Sequence, residues 1–183
     1  EFAIAAGTGV ISTTGTATNY EAKSSYTLTV SVNDGTGAAV TNTVVISVTD
    51  VNEASPVFAA GDTDSQNVAE VTTVATYSAT DADGTATLTY SITGGTDSDL
   101  FSINSATGAL TFSSAPDYEN PGCGAGDDSN TCTVVLTVSD GTNADTITVT
   151  ATVTDLNEHS PVFSAGSASA VNVAEGSTAV GTY

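Results

Sequence analysis

Across 183 residues there is one Lys or Arg, Lys23, against 21 Asp and Glu, and the formal charge is −20. Such a chain repels phosphate backbones and anionic headgroups, which excludes nucleic acid as a partner and membrane-surface binding. A phosphate-cradling loop is excluded too, because no Gly-rich stretch carries a Lys. Trp and Met are absent and aromatics make up 6% of the chain, so no sugar-stacking platform is evident. The single histidine, His159, has no nucleophile in a pairing arrangement and is expected to be an exposed linker residue. No apolar run approaches the roughly 20 residues of a membrane helix. Nor do Glu1-Phe2-Ala3-Ile4 form the basic start and apolar core of a signal peptide, so any export signal is expected outside this sequence.

What is present is folded-protein material. Hydrophobic residues make up 39% of the chain and charged residues only 12%, which is not the composition of an acidic disordered tail. Tyr26, Leu28, Val30 and Val32 alternate with Thr and Ser, as do Val44, Ile46 and Val48. Val134, Leu136 and Val138, then Ile147, Val149 and Val153, follow the same period of two. Between such runs stand the turn formers Asn33-Asp34-Gly35, Asp83-Gly84, Gly94-Gly95, Asp140-Gly141 and Ala165-Gly166-Ser167. The expected fold is all-β, an antiparallel sandwich with Greek-key connections and no substantial helix.

The only cysteines, Cys123 and Cys132, lie nine positions apart in a loop rich in Gly, Asp and Ser. Two lone cysteines this close need no distant partner and have no accompanying His, so a local disulfide in an oxidising compartment is expected, with a pair of free thiols as the alternative.

One phrase occurs twice. Asp50-Val51-Asn52-Glu53-Ala54-Ser55-Pro56-Val57-Phe58 returns 105 residues later as Asp155-Leu156-Asn157-Glu158-His159-Ser160-Pro161-Val162-Phe163. Each copy ends a run of alternating residues and gathers two carboxylates and an amide beside a proline, as a junction that holds a hard cation would. Phe2-Ala3-Ile4 aligns with Phe101-Ser102-Ile103, and Val171-Asn172-Val173-Ala174-Glu175 echoes Gln66-Asn67-Val68-Ala69-Glu70. The expected organisation is therefore residues 1–58 as the C-terminal half of a repeat, 59–163 as a complete repeat and 164–183 as the start of a third. An excerpt of a longer repeat protein is the corresponding expectation, since half a sandwich exposes its core. Complementation of the two partial repeats between neighbouring chains is disfavoured, because residues 78–99 have no counterpart in them.

These residues resemble cadherin repeats, whose modules carry an early Glu, a D-x-D pair, a D-R-E or D-Y-E triplet, a late Asp and a terminal D-x-N-D-N-x-P. Here they stand in order as Glu70, Asp81-Ala82-Asp83, Asp117-Tyr118-Glu119, Asp140 and Asp155-Leu156-Asn157-Glu158, with Asn19-Tyr20-Glu21, Asp34 and Asp50-Val51-Asn52-Glu53 before them. The resemblance implies tandem immunoglobulin-like, cadherin-type β-sandwiches with calcium between modules. It assigns Glu21, Asp50, Asn52, Glu53, Asp81, Asp83 and Asp140 to the first joint. To the second it assigns Glu70, Asp117, Glu119, Asp155, Asn157 and Glu158, with further ligands expected beyond Tyr183. Asp34 and Glu175 would serve other joints. Asn19 departs from the family's Asp, Glu53 and Glu158 from its Asp, and Ala54 and His159 from its final Asn.

The implied role is not enzymatic: acidic residues that repeat from module to module do not make a single active site. It is a calcium-stiffened stalk or filament of a surface adhesin, extracellular, with neighbouring repeats and like chains as partners in homophilic or filament contacts. A carbohydrate- or matrix-binding module is the alternative, with a glycan as partner. The Ala, Thr, Gly and Asp-rich style resembles large bacterial adhesins.

Overall fold

The computed structural model describes residues 1–84, 86–124, 126, 128–162 and 173–176. Of the expected third repeat only four residues fall within that set; the Ala165-Gly166-Ser167 turn and the Val171-Asn172 echo lie outside it.

The alternation runs become strands wherever one face finds a core. β1 (Phe2–Ile4) and β2 (Ile11–Thr13) form one antiparallel hairpin, and β3 (Ser25–Val32) and β4 (Val40–Ser47) another. In β3 and β4 the period of two is partly realised: Tyr26 is buried, while Val32 and Val40 remain about 70% exposed at 70% and 69%. Phe2 packs edge-on against Tyr26 with ring centroids 4.9 Å apart.

The remaining strands build a sandwich. β5 (Val57–Phe58) pairs with β8 (Ala79–Thr80). One sheet has the order β6 (Thr63–Ala69), β13 (Ala144–Thr154), β12 (Thr131–Ser139), β9 (Thr89–Gly94). The other has β10 (Phe101–Ile103), β11 (Ala109–Phe112), β7 (Thr73–Thr76). A 3-10 turn, Ser98–Leu100, leads into β10. The chain crosses between sheets four times, from β6 to β7, from β7 by way of β8 to β9, from β9 to β10 and from β11 back to β12.

Between the sheets lie Val68, Tyr90, Phe101, Leu110, Phe112, Val134, Leu136, Val138, Ile147, Val149, Ala151 and Val153 in one buried cluster. Every second residue of β12 and of the later part of β13 enters it, while the intervening Thr residues face outward. Where the sequence pointed to antiparallel pairing throughout, β6 runs parallel to β13, Thr63 opposite Thr148 through Ala69 opposite Thr154. The two strands are separated by most of the sandwich, and so long a connection permits the parallel direction that a tight hairpin forbids.

Two glycines are fixed by sterics. Gly95 and Gly108 have φ of 103° and 70°, and a Cβ there would collide with the Thr133 and Tyr77 carbonyl oxygens respectively. The Gly108 hairpin has a twin: Gly9, φ 71°, donates to the Ala5 carbonyl as Gly108 does to Asn104, and Ala5 and Asn104 donate in turn to Val10 and Ala109. The Phe2-Ala3-Ile4 and Phe101-Ser102-Ile103 strands that begin these hairpins thus occupy equivalent positions.

Candidate metal centres

The first junction, Asp50 to Pro56, joins β4 to β5 with no strand pairing of its own. Side chains from two other segments hold it. Just after β8, Asp81 Oδ1 accepts the Asp83 N–H at 2.9 Å, a local turn that fixes this pair of carboxylates. Asp83 is 4% exposed, and its Oδ2 accepts the Ala54 N–H at 2.8 Å. After β12, Asp140 Oδ1 accepts from the Thr142 and Asn143 N–H groups, 2.6 Å each. The Asn143 side chain then donates to the Ala54 carbonyl at 2.5 Å. Ala54 is gripped through both of its backbone polar groups.

Around this grip the carboxylates crowd. Oxygens of Glu21, Glu53 and Asp83 lie within 4.8 Å of one another. Loss of hydration, followed by the negative charges of Glu21, Asp83 and Asp50, holds the Glu53 carboxyl above the ordinary glutamate range. Asp140 goes the other way, held below its ordinary value chiefly by the Asn143 N–H, with Thr142 and Asn52 assisting against desolvation.

Two features fit a hard cation here. One end of the Asn52 side-chain amide lies 2.9 Å from Asp140 Oδ2 and 3.0 Å from Asp83 Oδ2. With its nitrogen at that end it donates to both carboxylates. With its oxygen there, that oxygen stands 2.9 and 3.0 Å from one oxygen of each carboxylate, the spacing that neighbouring ligands adopt around an ion with bonds of about 2.4 Å. Asp81 Oδ2, in addition, is buried without a hydrogen-bond partner among the described residues, a cost that a cation would relieve. The donor set is all oxygen, suited to calcium rather than to a transition metal.

The second junction begins where β13 ends. Glu70 ties two segments together: Oε1 accepts the Tyr118 N–H at 2.9 Å and Oε2 the Leu156 N–H at 2.8 Å. Those bonds, that of Tyr118 first, hold its carboxyl below the ordinary value against desolvation. Oxygens of Glu70, Glu119, Asp155 and Glu158 lie within 4.8 Å of one another. Glu119 is raised by desolvation first, then by Glu158, Asp155 and Glu70. Asp117 stands outside this group, its Oδ1 accepting the Asn120 N–H at 3.0 Å, and Asn157 is exposed. His159 is 77% exposed, with Nδ1 2.6 Å from Glu158 Oε1, close enough to join Glu119 and Glu158 in a third grouping. Asp34 accepts the Thr36 N–H at 3.0 Å in an exposed turn, which keeps its carboxyl low.

The sequence profile of the cadherin domain matches residues 64–156. This chain belongs to the cadherin family. Human protocadherin Fat 1 is 36% identical over 132 residues, covering 68% of this chain and 3% of that protein. Mouse cadherin EGF LAG seven-pass G-type receptor 2 is 35% identical over 145 residues, 75% of this chain and 5% of the receptor. The chain thus spans a few per cent of the length of these cadherin relatives. Among solved structures, mouse cadherin-23 EC22-24 superposes with a TM-score of 0.68 at 28% identity, covering 85% of this chain and 50% of that one. Cadherin domains are extracellular, adhesion-type β-sandwich repeats that bind calcium as a class.

Some site residues escape a motif-based reading. Asn143 carries no charge and belongs to no motif element, although its place three residues after Asp140 was a usable sign. Asp97 is 4% exposed and accepts from Gly124 N–H at 2.6 Å and Thr133 N–H at 2.7 Å, tying the cysteine loop to β12. Cys123 and Cys132 are bonded, with Cα atoms 4.9 Å apart. No helix among the described residues is long and apolar enough to cross a membrane.

Proposed function

We propose that this chain is a stalk segment of a surface adhesin, non-catalytic, in which calcium held at the junctions stiffens consecutive repeats bounded at 1–58, 59–163 and 164–183. The observation that carries the reading is the convergence on Asp83. Oxygens of Glu21 and Glu53 lie within 4.8 Å of its carboxylate, and the Asn52 amide lies 3.0 Å from its Oδ2 and 2.9 Å from Asp140 Oδ2.

Glu21, Asp50, Asn52, Glu53, Asp81, Asp83 and Asp140 form the first ligand set. Glu70, Asp117, Glu119, Asp155, Asn157 and Glu158 form the second. Bound calcium supplies positive charge that cancels the mutual repulsion of these carboxylates. The chain's own groups do the rest. Asp83 and Asn143 fix Ala54, which sets the Asp50–Pro56 backbone relative to β8 and β12. Glu70 likewise fixes Tyr118 against Leu156. With charge neutralised, both sides of a junction bind one cluster and the hinge loses its freedom. Without it, six carboxylates on the first set alone repel and the hinge opens.

The parent protein is proposed to act outside the cell in contacts between like chains, homophilic or filamentous. Bacterial parentage rests on composition alone, since the relatives named above are animal proteins. The test is small-angle scattering with thermal melting, in calcium and then in EDTA. Calcium should raise the melting temperature and lengthen the maximum dimension; an unchanged melt and profile after EDTA would sink the proposal.

A further inference from the structure

The cysteine loop lies beside the second junction, and one residue within it touches two of the three segments that supply carboxylates there. Asn130 Nδ2 donates to the Tyr118 carbonyl at 3.0 Å, and its own carbonyl accepts the Val153 N–H at 2.7 Å. Tyr118 is flanked by Asp117 and Glu119, and Val153 lies two residues before Asp155. Glu70 makes the matching connection from the other side, accepting from Tyr118 and Leu156. The peptide groups of Tyr118 are therefore clamped at both N–H and C=O, the first by a carboxylate of the metal group and the second by Asn130.

Asn130 is itself held on both flanks. The disulfide between Cys123 and Cys132 closes the loop around it, and Cys123 exchanges two backbone hydrogen bonds with Ser129 at 3.0 Å each. The buried Asp97 carboxylate anchors the loop at Gly124 and at Thr133. Cys123 is 3% exposed and Cys132 0%, so reductants do not reach the bridge in the folded protein and it acts as a fixed staple. By contrast, the Asp117-Tyr118-Glu119 segment belongs to no strand, and Tyr118 is 39% exposed. A segment without sheet pairing keeps its carboxylates aimed only if something else fixes its backbone.

We infer that Asn130, stapled by the Cys123–Cys132 disulfide, is the positioning residue of the second junction: it holds the Tyr118 carbonyl so that Glu119 joins Glu70, Asp155 and Glu158. The inference rests on the calcium reading of that junction. It assigns the disulfide loop a task beyond stability, namely to set the affinity of one junction and leave the other untouched. The first junction has no such loop; its Asn19-Tyr20-Glu21 segment is held at Asn19, whose Oδ1 accepts the Ala22 N–H at 2.6 Å.

The experiment is a calcium titration of the whole 183-residue chain followed by amide NMR. Tyr118 and Leu156 amides report the second junction, and Ala54 and Asp83 amides report the first. Asn130→Ala should raise the midpoint at Tyr118 and Leu156 about tenfold, the scale at which residues orienting metal ligands act, with the Ala54 and Asp83 midpoint unchanged. The Cys123→Ser/Cys132→Ser pair should shift the same two amides in the same direction. Asn130→Leu, which keeps the size and the neutral charge but loses the donated hydrogen bond, serves if either variant folds poorly, and should match Asn130→Ala. Equal shifts at both junctions, or none at the second, would overturn the inference while leaving calcium binding intact. A wild-type chain whose Tyr118 and Leu156 amides ignore calcium would remove the calcium reading of that junction and this inference with it.

Discussion

The side chain of Asn143 donates to the main-chain oxygen of Ala54 across 89 residues of sequence, while Asp83 takes the Ala54 N–H at 2.8 Å. Ala54 is therefore held to the segments after β8 and β12 by the chain's own groups, and that latch can be measured in EDTA. Asn143→Ala frees an oxygen that water can reach, and should cost about 1 kcal/mol in urea unfolding. Asp83→Ala removes a buried charged acceptor, leaves the Ala54 N–H unpaired and should cost about 2–3 kcal/mol. If the two variants unfold at the wild-type urea concentration, the latch contributes nothing to stability.

Acid should act on the metal-free protein in two opposite stages. Glu53 and Glu119 have folded-state values raised above the ordinary 4.5, mainly by desolvation and then by neighbouring carboxylates. The folded state then binds more protons than the unfolded state above pH 4.5, so stability should rise as pH falls from neutrality toward that value. Asp64, Glu70 and Asp140 are lowered by donated hydrogen bonds, and their contribution is complete above the ordinary values of 3.8 and 4.5. It should be lost as pH drops below them. Urea midpoints in EDTA should pass through a maximum between the two stages. In calcium the first stage should reverse, because protons compete with the metal for Glu53 and Glu119. A metal-free midpoint that declines steadily from pH 7 would contradict this assignment.

The strands were legible because their core faces are uniform: the alternation at Val134, Leu136 and Val138 is the alternation found in β12. The twice-written phrase also contains Glu53, Asp155 and Glu158, which stand in the carboxylate groups of the two junctions, since turn chemistry and charge both appear in one-letter form. The parallel partnership of β6 with β13 was not legible, because nothing in a strand's own residues states which distant edge it joins. Asp117 shows the converse limit. It occupies the motif position, and the bond its Oδ1 accepts from the Asn120 N–H is a turn contact that the motif does not announce. Asn143 and Asn130 act through amides placed by tertiary packing, and no charge pattern announces them.

The paired hairpins offer an internal control on glycine. Gly9 and Gly108 share a φ near +70°, but a Cβ at Gly9 meets nothing within 4 Å whereas one at Gly108 overlaps the Tyr77 carbonyl oxygen. Gly9→Ala should cost only the left-handed backbone penalty, about 1 kcal/mol. Gly108→Ala adds displacement of the Tyr77 backbone, whose N–H donates to the Gly108 carbonyl at 2.9 Å, and should cost about 3 kcal/mol or more. Equal costs in thermal unfolding would mean that the backbone after β7 yields freely at Tyr77, against its burial in the core.

Asn52 is the residue at which absence and presence of the cation make opposite demands. With its amide nitrogen turned to Asp83 Oδ2 and Asp140 Oδ2, 3.0 and 2.9 Å away, a neutral donor separates two like charges, the arrangement expected in the absence of metal. With metal the same position calls for an oxygen, and a charged one binds a divalent ion more strongly than an amide does. Asn52→Asp should therefore melt about 5 °C below wild type in EDTA, since two donated hydrogen bonds become repulsions. In saturating calcium the variant should recover that loss, so its calcium-induced rise in melting temperature exceeds the wild-type rise. A residue that merely filled a turn would shift both melts alike. A deficit that persists in calcium would show that no cation is shared by Asn52, Asp83 and Asp140, and the first ligand set would have to be redrawn without Asn52.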